Sequence, residues 1–152
     1  MSTDADGLAS VQQVEALADQ LSALADEIHQ RVLRDIKERN GKLSEDEQQL
    51  ARKLFDDELL LRQRANGLYA DAATLVVKSL GKSQAHVMAL TVAAGEKIRK
   101  IGMIASMTGL VASILGLAGA VATGQVAPIV LAIEKLRKQT KLVDAYAPKK
   151  PK

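Results

Sequence analysis

The fold and the function both depend on residues 101–133, which read IGMIASMTGLVASILGLAGAVATGQVAPIVLAI. This stretch has no charged side chain, although charged residues make up 26% of the chain. A helix needs about 20 apolar residues to cross the hydrocarbon core of a bilayer, and two crossings need roughly 40. The segment is therefore long enough for one membrane span, and it is too short for two.

Small side chains recur every seventh residue inside this segment, and on a helix they form one stripe. The stripe consists of Gly102, Ala105, Ser106, Gly109, Ala112, Ser113, Gly116, Gly119 and Ala120. Such a stripe lets a second helix approach closely, as small residues do between membrane helices. The other face has large apolar residues: Met103, Ile104, Met107, Leu110, Val111, Ile114, Leu115, Leu117 and Val121. We therefore expect the small face to pack against another helix and the large face to point outward, towards lipid. The alternative is a helix buried on all sides in a soluble bundle.

Basic residues flank the uncharged segment on both sides. They are Lys97, Arg99 and Lys100 before it, and Lys135, Arg137, Lys138 and Lys141 after it. Positive charge beside an apolar segment suits anionic lipid headgroups. We expect these residues to mark the ends of a membrane-competent segment, and a lipid bilayer to be the partner.

The rest of the chain predicts an all-α protein. Hydrophobic residues make up 47% and aromatic residues only 2%, and all three prolines lie at or after position 128. Leucines recur with heptad spacing, and Ser44 with Glu47 matches a capping box at a helix start. We expect a single domain, 1–152, built as an elongated antiparallel bundle of about four helices over residues 8–39, 44–80, 83–123 and 127–145. Residues 146–152 are expected to form a basic, disordered tail.

Nothing in the sequence indicates an enzyme. There is no cysteine, and the two histidines, His29 and His86, are too far apart in the chain to form a helical metal site together. The glycines do not form a phosphate-binding loop. We expect no cofactor, no metal, no small-molecule substrate and no nucleic-acid partner. The N-terminus lacks the pattern of a secretory signal peptide. Because of the uncharged segment 101–133, the expected location is a membrane, either permanently or after a soluble stage.

Residues 14–75 contain heptads, with leucines at positions 54, 61, 68 and 75, and residues 101–133 form an uncharged segment with basic flanks. This architecture resembles that of the α-helical pore-forming toxins. These include colicin pore domains and the long-helix cytolysins. The resemblance implies a soluble bundle that hides an apolar helix and exposes it at a bilayer. It is a resemblance of architecture, and no family motif assigns functional residues.

Three functions are compatible with these patterns. The first is a membrane-inserting protein that self-associates through the small-residue stripe, of which a pore is one form. The second is a constitutive single-span membrane protein with a coiled-coil head. The third is a soluble bundle adaptor that binds partner helices in a groove. Replacing Gly109 and Gly116 with leucine should impair assembly in the first case, and should unfold an overpacked monomer in the third.

Overall fold

The computed structural model describes residues 7–146, with side chains as far as Val143. This part of the chain is helical and has no strand, which confirms an all-α bundle. It contains five α-helices rather than about four: α1 (Val11–Glu38), α2 (Glu45–Ala70), α3 (Gln84–Lys100), α4 (Thr108–Val121) and α5 (Val126–Tyr146). Short 3-10 turns lie at Ala72–Thr74, Gly81–Ser83 and Ile104–Met107. Of the predicted basic tail, only Tyr146 falls within the described residues.

Helices α1 and α2 form an antiparallel hairpin, as the short loop between them predicts. The loop turns at Gly41, which has a φ of +74°. The predicted capping box begins α2: the Ser44 hydroxyl accepts from the Glu47 backbone N–H at 3.1 Å, and the Glu47 carboxylate accepts from the Ser44 N–H at 2.8 Å. Further along, Arg62 on α2 donates to Asp26 on α1 at 2.8 Å. The hairpin is thus fixed by local signals and by charge pairs between the helices.

Helix α3 runs parallel to α1, since its start lies near Leu8 and its end near Arg31. The two helices approach closely at Gly95, which is buried. A Cβ atom added there would lie 3.0 Å from Leu24 Cδ2. Glycine at this position therefore sets the distance between α1 and α3.

The prediction that the second helix reaches residue 80 is wrong, because α2 ends at Ala70. The residues that follow make contacts with distant parts of the chain. The Val77 N–H donates to the Leu8 carbonyl at 2.8 Å, and the Gln84 side chain bonds the Leu8 N–H at 2.7 Å and the Val77 carbonyl at 3.0 Å. These bonds and the burial of Leu75, Val77 and Leu80 replace the helical hydrogen bonds.

The single helix predicted over residues 83–123 is also wrong, because it is interrupted between α3 and α4. Ile101 and Met103 have extended backbone conformations. Arg31 is only 4% exposed, and its guanidinium donates to the carbonyls of Ile101 and Gly102 at 3.0 and 3.1 Å. These two bonds satisfy carbonyls at the end of α3, which otherwise need a cap or water. The α3–α4 break is thus stabilised by a side chain from α1.

Helices α4 and α5 form a second hairpin that packs on the first. The turn between them includes Gly124, with a φ of +67°, and α5 matches the predicted helix over 127–145 within one residue at each end. Gln139 on α5 lies beside Gly109 on α4, so the two helices are antiparallel. Buried apolar residues from all five helices form one continuous core. The uncharged segment 101–133 therefore includes the α3–α4 break, all of α4 and the start of α5.

Candidate functional site

Helix α4 has its large residues inside the bundle and its small residues near the surface. Seven large apolar side chains of this segment are buried: Ile104, Met107, Leu110, Val111, Ile114, Leu117 and Val121. In the small-residue stripe, Gly102, Ala105, Ala112 and Gly116 are exposed, Ser106, Gly109, Ser113 and Gly119 are half-buried, and only Ala120 is buried. This orientation is the reverse of the expected one, because burying large side chains removes more apolar area from water.

The small-residue stripe forms one wall of an open groove between α4 and α5, with a volume of ≈ 510 Å³. We call this the α4–α5 groove. Pro128, Leu131, Ala132, Lys135 and Gln139 of α5 form the other wall. Leu131 is 64% exposed, so the groove includes a large apolar side chain that water reaches. The groove therefore has the small, uncharged floor that a docking helix requires.

The three glycines of α4 differ in the space around them. A Cβ atom added at Gly109 would lie 2.5 Å from Gln139 Oε1. A Cβ atom added at Gly116 or Gly119 would meet nothing within 4 Å. The expectation that leucine at both Gly109 and Gly116 overpacks a soluble bundle thus applies to Gly109 alone. Gly116 is a position where bulk can be added to the α4–α5 groove without a clash in the monomer.

The two basic clusters lie near the same end of the α4–α5 hairpin. Lys97, Arg99 and Lys100 form the last turn of α3, directly before the α3–α4 break. The other cluster, Lys135, Arg137, Lys138 and Lys141, surrounds Gln139, which lies beside Gly109 near the start of α4. In this structure the clusters therefore do not flank α4 at its two ends. The opposite end of the hairpin, residues 121–133, has no charge, and Val126 there is exposed.

One segment of the described residues, Ile104–Val121, is long and apolar enough to cross a membrane. Within the bundle 44% of it is buried. A core helix of a soluble protein meets the same criterion, so this property alone does not separate the two classes. The described residues contain no cluster of three or more side chains that could hold a metal ion.

Two hydroxyl groups at or near the α4–α5 groove are satisfied within their own helix or turn. The Ser113 hydroxyl donates to the Gly109 carbonyl at 3.0 Å, and the Thr123 hydroxyl donates to the Ala120 carbonyl at 2.6 Å. These hydroxyls do not need an external partner, so they do not impose polarity on what docks there. The small-residue wall of the α4–α5 groove therefore offers mainly shape and apolar contact to a docking partner.

One set of residues was not singled out from the sequence. Arg31, Arg34 and Arg99 come together beside the α3–α4 break, although Arg31 and Arg99 are far apart in the chain. No spacing rule connects them, because the contact depends on how α3 packs on α1. Comparison of the chain with protein-family models, with curated proteins and with solved structures gives no match.

Proposed function

We propose that this protein is a membrane-inserting, self-associating helical bundle, and that the small-residue stripe of α4 is the surface through which copies pack. The observation that carries the proposal is the uncharged helix α4, which keeps its large face in the core and its small face near the surface. Small residues let two helices approach closely and gain packing contacts along their length.

Insertion requires a change in the α3–α4 break. Helix α4 has 14 residues and is about 21 Å long, whereas the hydrocarbon core of a bilayer is about 30 Å thick. If residues 101–107 became helical and joined α4, the helix 101–123 would be about 35 Å long. Arg31 would then lose its two backbone acceptors at Ile101 and Gly102. The break therefore separates a bundle form from a spanning form.

The arrangement of charge sets the direction of entry. The hairpin end at residues 121–133 has no charge, and both basic clusters lie at the other end. Charged side chains are costly in hydrocarbon, so the uncharged end enters first. The lysines and arginines then stay at the headgroups, where anionic lipid attracts them.

The test is flotation of the purified protein with liposomes, with and without anionic lipid, together with release of an enclosed dye. Gly116→Leu adds bulk to the stripe, and Gly67→Leu adds the same bulk to an exposed glycine of α2 whose Cβ would also meet nothing within 4 Å. We expect wild type and Gly67→Leu to float and to cross-link as oligomers in the vesicles. Gly116→Leu should float but cross-link poorly. Dye release by wild type and not by Gly116→Leu would extend the proposal to a pore.

A protein that remains soluble and monodisperse in the presence of liposomes would refute the membrane proposal. Flotation without dye release is the result expected of a constitutive single-span protein or of an anchor. Equal cross-linking of wild type and Gly116→Leu in vesicles would refute the role of the stripe while leaving insertion intact.

A second candidate function is a soluble adaptor that binds a partner helix in the α4–α5 groove. The open groove with its exposed Leu131 favours it, because an amphipathic helix docks by placing apolar side chains in such a groove. In this case Gly116→Leu blocks the partner and vesicles have no effect. Sedimentation of the lipid-free protein separates the two candidates, since the adaptor needs no bilayer to form its complex.

A further inference from the structure

A pocket of ≈ 280 Å³ lies beside the α3–α4 break and is lined by Glu27, Gln30, Arg31, Arg34 and Arg99. We call it the arginine pocket. Helix α1 supplies four of its residues, and α3 supplies Arg99 from its last turn. The lining combines three positive charges with the single negative charge of Glu27. The pocket is on a different face of the chain from the α4–α5 groove, with which it shares no lining residue.

The three guanidinium groups have donors to spare. Arg31 uses Nε and Nη2 on the α3–α4 break, and its Nη1 is buried without a hydrogen-bond partner. Arg34 uses Nη2 on the Arg99 carbonyl at 3.0 Å. Within the described residues, none of the three arginines forms a salt bridge with a carboxylate, and Asp35 is instead paired with Arg39 at 3.1 Å. A buried donor without a partner costs free energy, so an acceptor at this position is favoured.

Electrostatics at the pocket favour an anion. Burial lowers the pKa of the Arg31 guanidinium, and the positive charge of Arg34 lowers it further, whereas Asp35 and Glu38 act in the opposite direction. The partial negative charge at the C-terminal end of α3 offsets only part of the excess positive charge at the pocket. An anion in the pocket would reduce the repulsion among the three cations and restore solvation that Arg31 has lost.

We propose that the arginine pocket binds a phosphate-class oxyanion, either free phosphate or the phosphomonoester headgroup of a lipid. Guanidinium groups bind phosphate oxygens through short, charge-assisted hydrogen bonds. A tetrahedral phosphate offers acceptors in several directions, which matches donors that come from two helices. A carboxylate has two oxygens in one plane and would satisfy fewer of them. The Gln30 amide is a further donor at the pocket, and Glu27 weakens binding.

The test uses variants that keep both bonds from Arg31 to the α3–α4 break, although the bond from Arg34 to the Arg99 carbonyl is lost. Arg34 and Arg99 are exposed, so the double variant Arg34→Ala/Arg99→Ala should fold with a melting temperature close to that of wild type. Its matched control is Arg52→Ala/Arg64→Ala, which removes two exposed arginines of α2 and changes the net charge equally. Glu27→Gln removes the one acidic side chain of the pocket. Arg31 is left unchanged because its loss would disturb the α3–α4 break.

Binding is measured by titration with inorganic phosphate, and by flotation with vesicles that contain either phosphatidic acid or an equal charge of phosphatidylglycerol. We expect Arg34→Ala/Arg99→Ala to weaken binding about tenfold or more, because two charge-assisted hydrogen bonds are lost. The control should bind like wild type, and Glu27→Gln should bind more tightly. Titratable phosphate binding identifies a site for a free anion. A preference for phosphatidic acid alone, abolished in Arg34→Ala/Arg99→Ala, identifies a headgroup site.

Two results would overturn the proposal. One is wild-type protein that neither binds phosphate nor distinguishes phosphatidic acid from phosphatidylglycerol. The other is equal loss of binding in both double variants, which would show only a general effect of net charge. The phosphate titration needs no bilayer and no oligomer, so this inference can hold when membrane insertion fails.

Discussion

Substitution of Gly116 tests most directly whether the exposed face of α4 is a packing surface. Glycine inside a helix costs roughly 0.5–1 kcal/mol relative to alanine, because its backbone loses more freedom on folding. A Cβ atom at this position meets nothing within 4 Å, so no steric cost opposes that gain. Gly116→Ala should therefore raise the free energy of unfolding of the monomer by about 0.5–1 kcal/mol, which corresponds to roughly 1–4 °C in melting temperature.

Gly116→Leu should also leave the monomer folded, since leucine is a good helix former and the position is open. The larger side chain would, however, prevent a second helix from approaching the small-residue stripe. The assay is thermal unfolding at low protein concentration, paired with sedimentation over a range of concentrations and with vesicle cross-linking. Gly67→Ala and Gly67→Leu are the matched controls in α2, where the added Cβ is equally unhindered.

Loss of stability in Gly116→Leu at low concentration would refute this reasoning, because it would mean that the face is packed within the monomer. A variant that is stable and associates as wild type does would instead show that the stripe is not the interface. Equal effects of the Gly67 and Gly116 leucines would point to a general effect of an exposed leucine.

Three further predictions concern the bundle. Arg31→Met should lower the free energy of unfolding by about 2–3 kcal/mol in urea denaturation, because two backbone carbonyls at the α3–α4 break lose a charged donor; an unchanged midpoint would contradict this. Gly95→Val should cost about 1–3 kcal/mol in thermal unfolding, since its Cβ would lie 3.0 Å from a Leu24 methyl, and a rise in melting temperature would refute the close approach. The pKa of the Glu47 carboxyl is held below its usual range by the hydrogen bond from the Ser44 backbone N–H, so its contribution to stability is present above the usual pKa and lost as pH falls through the lowered one. Wild type should accordingly exceed Glu47→Gln in melting temperature at neutral pH, and the difference should shrink as the pH falls through the lowered pKa. A difference that does not change with pH would exclude the mechanism.

Local signals in the sequence were sufficient to predict the first hairpin, formed by α1 and α2. The capping box of Ser44 and Glu47 lies where it was predicted, and the turn at Gly41 has the left-handed backbone that favours glycine. The helical periods of α1 and α2 also place Leu21 and Leu61 in the core as expected. These features depend on residues within a few positions of one another, which is why the sequence reveals them.

The ends of α2 and α3 were missed because distant residues determine them. Leu8, Val77 and Gln84 form one set of hydrogen bonds that replaces the end of the predicted second helix. Arg31 interrupts the predicted third helix through its hydrogen bonds to the carbonyls of Ile101 and Gly102. The only local hint of this break is Gly102. The helical pattern continues through both places, so no periodicity distinguishes a continuous helix from one that a distant side chain interrupts.

The orientation of α4 was not predictable because neither of its faces has a charge. A hydrophobic pattern assigns a buried face by contrast with polar residues, and in α4 the only contrast is between large and small side chains. In a membrane the small face packs and the large face meets lipid, whereas in water the large face is buried. The same residues are thus consistent with opposite orientations in the two solvents, and the structure has the one expected in water.

The free-energy cost of separating α4 from the bundle decides where α4 could leave it. Seven large apolar side chains of residues 104–121 are buried in the core, and exposing each to water costs about 1.5–3 kcal/mol. The total, roughly 10–20 kcal/mol, equals or exceeds the whole free energy of unfolding of a typical domain, about 5–15 kcal/mol. Detachment of α4 in water would therefore amount to global unfolding, and a half-open soluble state should not be populated. Lipid removes this cost because hydrocarbon receives the large face as favourably as the core does. If the protein inserts as proposed, α4 would leave the bundle only where its large face passes directly from protein to lipid. Insertion would then begin at the bilayer surface, with the uncharged end of the hairpin already in contact with it.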